Sequence, residues 1–359
     1  MMKKKLLSVL SVATLSLSVL VAGCGGNAQQ GAQQGQNQGQ EQAGGDQAGQ
    51  KTVRIGMVTD VGGVNDNSFN QSAWEGLQKF QQDNGLPQES VNYLQSTSDA
   101  DYVPNLTQFV KDGWDLTWGI GFMMADAVKQ VAEANPDAKI AIIDQEVQAP
   151  NVESVLFKEN EGAFLGGVVA GSMTKSNKIG FVGGVESPVI KRFEAGFIAG
   201  VKAVNPNAKV ISVYTGAFDK PDLGKQAASG LYGQGADIVF PAAGSTGDGV
   251  FNEAKDRKSK GENVWVIGVD KDQSLTFGKE ITLTSVMKRV DQAVERVSKD
   301  VMDGNFKGGQ VVTLGLAEDG VGLPETSKDT VPADVLAKVE EFKQKIVNKE
   351  ISVPEEPQE

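Results

Sequence analysis

The residues best suited to chemistry lie in the stretch Thr59 to Leu77, TDVGGVNDNSFNQSAWEGL. A β-branched run from Thr52 to Val58 feeds a Gly-Gly turn, and Phe69, Ala73, Trp74, Leu77 and Phe80 then recur at helical spacing. Strand, loop and helix follow one another, and in open α/β proteins such loops at the carboxyl ends of strands carry the ligand. Asp60 to Asn70 is therefore a candidate contact segment. Asp126, Asp248 and Asp270 likewise sit at or just after predicted strand ends, in GIGFMMAD, AAGSTGD and VIGVD. An ionised carboxylate only accepts hydrogen bonds, which suits paired sugar hydroxyls or the N–H groups of a heterocycle. Phe69 and Phe218 add aromatic faces from polar loops, in a chain with only 6% aromatic residues. One ring on each side of a flat ligand contributes about 1 to 3 kcal/mol per stack. A planar, uncharged base bearing a hydroxylated sugar answers to this set.

Other chemistries fit less well. Histidine is absent, which removes Ser-His-Asp and Cys-His nucleophiles, histidine general bases and most transition-metal sites. DLGKQ around Lys225 lacks the earlier glycine of a phosphate loop, because position 219 is aspartate. GIGFMM lacks the third glycine of a dinucleotide fingerprint. The acidic loop would repel an anion at the helix start, so the ligand is neutral or cationic. AGSTG, Ala243 to Gly247, resembles a nucleophile elbow, yet nothing activates Ser245 and a turn before a helix starting near Thr246 explains it better. No catalytic residue, metal or cofactor is expected.

The elements that must position these side chains alternate along the chain past residue 51. Short apolar strands are expected near 52–59, 91–96, 115–120, 138–144, 153–157, 177–183, 208–214, 236–241, 263–270, 281–286 and 310–315, with amphipathic helices between them. Ile55-Gly56, Phe69 and Gly76 recur at an offset of 124 as Ile179-Gly180, Phe193 and Gly200. This α/β pattern fits two similarly built parallel-sheet lobes with a ligand cleft between them. At 359 residues, 40% hydrophobic and 22% charged, the chain has room for both cores.

The first 23 residues have the lysine-rich start and apolar run of a secretory signal, ending at the only cysteine, Cys24. Val21-Ala22-Gly23-Cys24 reads as a lipobox, with Cys24 the lipidated N-terminus of the mature chain. Residues 24–51 are Gly/Gln-rich and read as a flexible tether that holds the folded part about 30 Å from the membrane. Losing Lys3, Lys4 and Lys5 takes the formal charge from −12 to −15. Such acidity argues against nucleic acid or anionic lipid as a partner.

DVGGVNDNSFNQSAWEG, EGAFLGGVVAG, KIGFVGG, AAGSTGDGVF and VIGVDKDQ together resemble the basic membrane protein family of purine-nucleoside-binding lipoproteins, the receptors of an ABC-type importer. The resemblance runs from about 52 to 347. It implies a type I periplasmic-binding-protein fold with the base between Phe69 and Phe218. Asp60 and Asn70 would lie by the base, Asp248 and Asp270 would hold the ribose, and Lys288 would lie on the hinge side. Phe122 and Asp126 carry over by their strand-end position. Crossings between lobes are expected near 158, 286 and 310, giving lobe 1 as 52–157 plus about 286–310 and lobe 2 as 158–285 plus about 311–350. The expected protein is a lipid-anchored, extracytoplasmic, monomeric receptor for guanosine, inosine or adenosine that serves a membrane permease. A free-sugar or autoinducer receptor of the same fold is the alternative, and a nucleoside hydrolase is a second one.

Overall fold

The computed structural model describes residues 52–357. The signal, the lipobox at Cys24 and the tether lie outside the described residues. A first sheet is begun by β1 (Ile55–Val58), β2 (Val91–Leu94), β3 (Leu116–Gly119), β4 (Ile140–Ile143) and β5 (Val152–Phe157), wound with α1 (Phe69–Asp83), α2 (Tyr102–Lys111) and α3 (Ala125–Ala134). β1, β3 and β4 are buried along their whole length, as expected of parallel strands covered on both faces.

The chain crosses at Lys158 into α4 (Glu159–Met173) and then builds the second lobe. There follow β6 (Lys178–Gly183), α5 (Pro188–Val204), β7 (Lys209–Tyr214), α6 (Pro221–Gly233), β8 (Ile238–Ala242), α7 (Thr246–Ser259), β9 (Trp265–Asp270), α8 (Ser274–Phe277) and β10 (Thr282–Lys288). It returns through Arg289 into α9 (Val290–Met302) and β11 (Val311–Leu314). A last crossing leads to β12 (Val321–Gly322) and α10 (Ala333–Val347).

The sheet orders are β11-β5-β4-β3-β1-β2 and β12-β10-β9-β8-β6-β7. They are the same order twice, so the 124-residue echo marks a structural repeat in which β1 and α1 correspond to β6 and α5. Each outer edge is supplied by a strand laid down after the chain has crossed again. β11 pairs in parallel with β5, in register Val311↔Ser154, and thus belongs to the first sheet. The third crossing therefore lies past Leu314, not near 310, and the start of the second lobe's last segment moves accordingly. An exposed edge strand carries no mark of which sheet it joins, which is why its pattern misled.

The helices that follow the crossings lock each lobe. α9 lies against α1, where a Cβ on Gly76 would come 2.7 Å from the Asp291 Cα. α4 lies against α5, where Cβ atoms on Gly196 and Gly200 would come 2.6 Å and 3.0 Å from the Cα atoms of Asn160 and Phe164. Contacts this close need glycine. Trp118, fully buried on β3, donates its indole N–H to Ser298 Oγ of α9 at 3.3 Å and so ties α9 to the first lobe.

Candidate functional site

The carboxyl ends of the strands of both sheets face one cleft. Asp60 follows β1 by two residues. Its Oδ1 accepts from the Gly62 amide at 2.8 Å and from Asn70 Nδ2 at 2.7 Å, and its own amide donates to Asn70 Oδ1 at 3.3 Å. Asp66 also lines the cleft and holds this loop in place. Its carboxylate accepts from the amides of Ser68, Asn70 and Gln71 at 2.9 to 3.0 Å, capping the start of α1 and fixing where Phe69 points.

Phe69, Gly121 and Phe122 form the wall of the first lobe, and Phe193, Phe218, Ala242, Ala243 and Gly244 face them from the second. The space is about 510 Å³, solvent at its mouth included. Phe122 meets Phe218 edge-on across the cleft, with centroids 6.2 Å apart and planes at 77°. Val189 and Ile190, on the first turn of α5, complete an apolar side.

The floor is polar and charged. Lys288, the last residue of β10, is only 1% exposed. Its Nζ lies 2.6 Å from Asp144 Oδ2 and 2.9 Å from Glu159 Oε1, and 5.1 Å from the Phe69 ring centroid. Arg192 Nε reaches Glu159 Oε2 at 2.6 Å, continuing the network away from the cleft. Asp144 and Asp270 occupy corresponding ends of β4 and β9, and both backbones are left-handed, with φ of 71° and 63°. Asp144 Oδ1 is buried without a hydrogen-bond partner among the described residues.

Burial pushes the carboxyls of Asp60, Asp144 and Asp270 up to about 6, against the pull of Asn70 on the first and Lys288 on the other two. Burial likewise raises Asp66 to about 6 despite its amide donors. Burial works against charge on Lys288 too, but Asp144, Glu159 and Asp270 outweigh it and hold its pKa above the ordinary lysine value. For Glu159, burial is outweighed by Lys288 and Arg192, and its carboxyl sits below the usual range. With four carboxylates, Asp60, Asp66, Asp144 and Asp270, and one ammonium on its lining, the cleft offers mainly hydrogen-bond acceptors.

The PnrA-like family of ABC transporter substrate-binding proteins matches residues 53–357. The chain belongs to that family. A nucleoside-binding protein of an ABC transporter, BmpA of Lactococcus lactis subsp. cremoris, is 39% identical over 98% of this chain and 99% of its own. Basic membrane protein B of Borreliella burgdorferi is 35% identical over 86% of this chain and 90% of its own. A CD4+ T-cell-stimulating antigen of Listeria innocua is 47% identical over 99% of this chain and all of its own. Among solved structures, an ABC transporter solute-binding protein from Aeropyrum pernix superposes with a TM-score of 0.78 at 30% identity, covering 86% of this chain and 94% of that one. As a member of the PnrA-like family the chain is a substrate-binding component of ABC transport, acting outside the cytoplasm on a small molecule. No helix among the described residues is long and apolar enough to cross a membrane.

Of the residues singled out in the sequence, Asp60, Phe69, Asn70, Phe122, Phe218, Asp270 and Lys288 line this one cleft. Two do not. Asp126 is exposed on the first turn of α3, because a short 3-10 turn over Phe122–Met124 carries the chain off the wall before reaching it. Asp248 lies on the first turn of α7, beyond the wall residues Ala242, Ala243 and Gly244, and its Oδ2 accepts from Asn67 Nδ2 at 2.9 Å. Asp144 is one of the wall residues absent from that set, with Asp66, Phe193 and the apolar residues Val189 and Ile190. The signal for Asp144 was present in IAIID, a strand ending in aspartate like VIGVD.

Proposed function

We propose that this protein binds a purine nucleoside in the interlobe cleft and delivers it unaltered to its ABC permease. The observation that carries this is a cavity lined by a phenylalanine from each lobe, Phe69 and Phe218, together with buried carboxylates. The rings grip the base from its two faces, while Asp60 and Asn70 take its polar edge. Asp270, Asp144 and Lys288 hold the ribose hydroxyls, in place of the Asp248 expected from sequence. Each charge-assisted bond contributes about 1.5 to 3 kcal/mol. The net negative wall rejects a phosphate, so nucleosides bind and nucleotides do not. The naming of the Lactococcus relative as nucleoside-binding agrees with this role.

Titration calorimetry of the mature protein against guanosine, inosine, adenosine, free bases, ribose and nucleoside monophosphates tests it. Preference for AMP over adenosine overturns the charge argument, and binding of ribose alone favours the sugar-receptor alternative. Release of free base during incubation favours a hydrolase. The protein works as a monomer held to the outer face of the membrane through a diacylglyceryl group on Cys24. Mass spectrometry of the N-terminal peptide from the membrane fraction checks that anchor.

A further inference from the structure

Asn67 and Ser68 belong to the β1–α1 loop of the first lobe, yet neither lines the cavity. Their polar atoms reach into the second lobe. Asn67 Nδ2 donates to Asp248 Oδ2 at 2.9 Å, its main-chain carbonyl accepts from Gln273 Nε2 at 3.0 Å, and Ser68 Oγ donates to the Asp270 carboxylate. Each side of this junction is anchored in its own lobe. Asp66 holds the Ser68 amide at 2.9 Å. Gln273 is fixed by the Val269 amide donating to its Oε1 at 2.9 Å and by its own amide donating to Ser285 Oγ at 3.1 Å. Lys271 Nζ and Glu75 Oε1, 2.5 Å apart, bridge the same seam farther out. Asn67 has a left-handed backbone, with φ of 53°, a conformation asparagine and aspartate tolerate better than most residues.

We propose that Asn67 and Ser68 are positioning residues forming a closure latch. They bond to the second lobe only when the lobes meet, and Ser68 thereby sets the orientation in which Asp270 faces the ligand. The proposal presupposes the nucleoside-binding role and adds to it a division of labour. Wall residues set how ligand is recognised; the latch sets how long it stays. Loss of the latch accordingly acts on dissociation and leaves association unchanged, whereas damage to the wall or to folding does not divide in that way.

The test is stopped-flow binding of guanosine to the mature chain carrying Asn67→Asp, Asp248→Asn or both. Asn67→Asp sets two carboxylates against each other and is expected to speed dissociation about tenfold or more. The double variant lets the new amide at position 248 donate to the new carboxylate at 67, and dissociation returns to within about threefold of the wild type. Asn67→Gly keeps the left-handed backbone, removes the donor and is expected to speed dissociation alone. Wild-type dissociation in Asn67→Asp and Asn67→Gly, or no rescue in the double variant, overturns the latch. If the unaltered protein binds no nucleoside, the functional role fails instead. Small-angle scattering of the ligand-free proteins then decides the latch: a larger radius of gyration in Asn67→Asp, reversed in the double variant, supports it, and identical profiles overturn it.

Discussion

Lys288→Met probes the cleft floor most directly. The lysine is fully buried, and its Nζ meets Asp144 at 2.6 Å and Glu159 at 2.9 Å. Methionine fills similar space without charge. Glu159 keeps Arg192 at 2.6 Å, but Asp144 loses its contacting cation. Removing one partner of a buried pair costs about 3 to 5 kcal/mol. At roughly 2 to 4 °C per kcal/mol for a protein of this size, the melting temperature at neutral pH falls by about 6 to 20 °C.

The sign of the pH dependence follows from Asp144, whose carboxyl sits at about 6 when folded against 3.8 ordinarily. A carboxyl raised on folding binds its proton more tightly in the native state, so it destabilises above its folded pKa and ceases to do so below its unfolded one. Without Lys288 that pKa rises further. The variant's deficit is therefore largest near pH 8 and shrinks as pH falls toward 5. Asp144→Asn in the Lys288→Met background removes the stranded charge and recovers part of the loss. Thermal melts followed by circular dichroism at pH 8, 7 and 5.5 measure all of this. A deficit under about 1 kcal/mol, one independent of pH, or a double variant less stable than Lys288→Met refutes the reasoning.

A Cβ on Gly184 would run into the Phe218 ring, so Gly184→Ala is expected to weaken guanosine binding about tenfold by displacing that ring, with a melting temperature within a few degrees of the wild type. Phe218→Ala should cost about 1 to 3 kcal/mol in calorimetry, roughly 5- to 150-fold in affinity; unchanged affinity would point to a ligand without a flat ring. Asp126→Ala, by contrast, is expected to leave affinity within about twofold, because that carboxylate is exposed and off the wall. Guanosine affinity should fall as pH drops from 7.5 to 5, since Asp60, Asp144 and Asp270 gain protons near 6 and lose the acceptors that sugar and base donors need; a flat calorimetric profile removes at least their ionised role.

Much of the architecture was legible because buried parallel strands read as continuous apolar runs, and IGMV, IAII and IVFPA are of that kind. The echo at 124 residues was visible because Gly76 and Gly200 meet helices that replace each other in the two lobes. The lobe assignment of β11 was not legible, since an edge strand with exposed side chains carries no record of its neighbour. Distance from the strand end sorts some of the aspartates. Asp60, Asp144 and Asp270 stand within two residues of β1, β4 and β9 and face the cleft. Asp126 and Asp248 follow β3 and β8 by more than a turn of chain, and the intervening turns carry them away from the wall. Counting from the strand end would have found Asp144, but it does not exclude the other two, since Asp66 and Phe69 follow β1 by more than a turn and still line the cleft.

Where helices touch through glycine they have no side-chain cushion to deform. The seams of α1 with α9 and of α4 with α5 are of this kind, so neither half can absorb an incoming solute by internal repacking. On the proposed role, closure is then one swing of two stiff bodies about the segments that join them. A permease need then gauge only a single variable, the gap between the outer margins of the receptor, to distinguish a loaded carrier from an empty one.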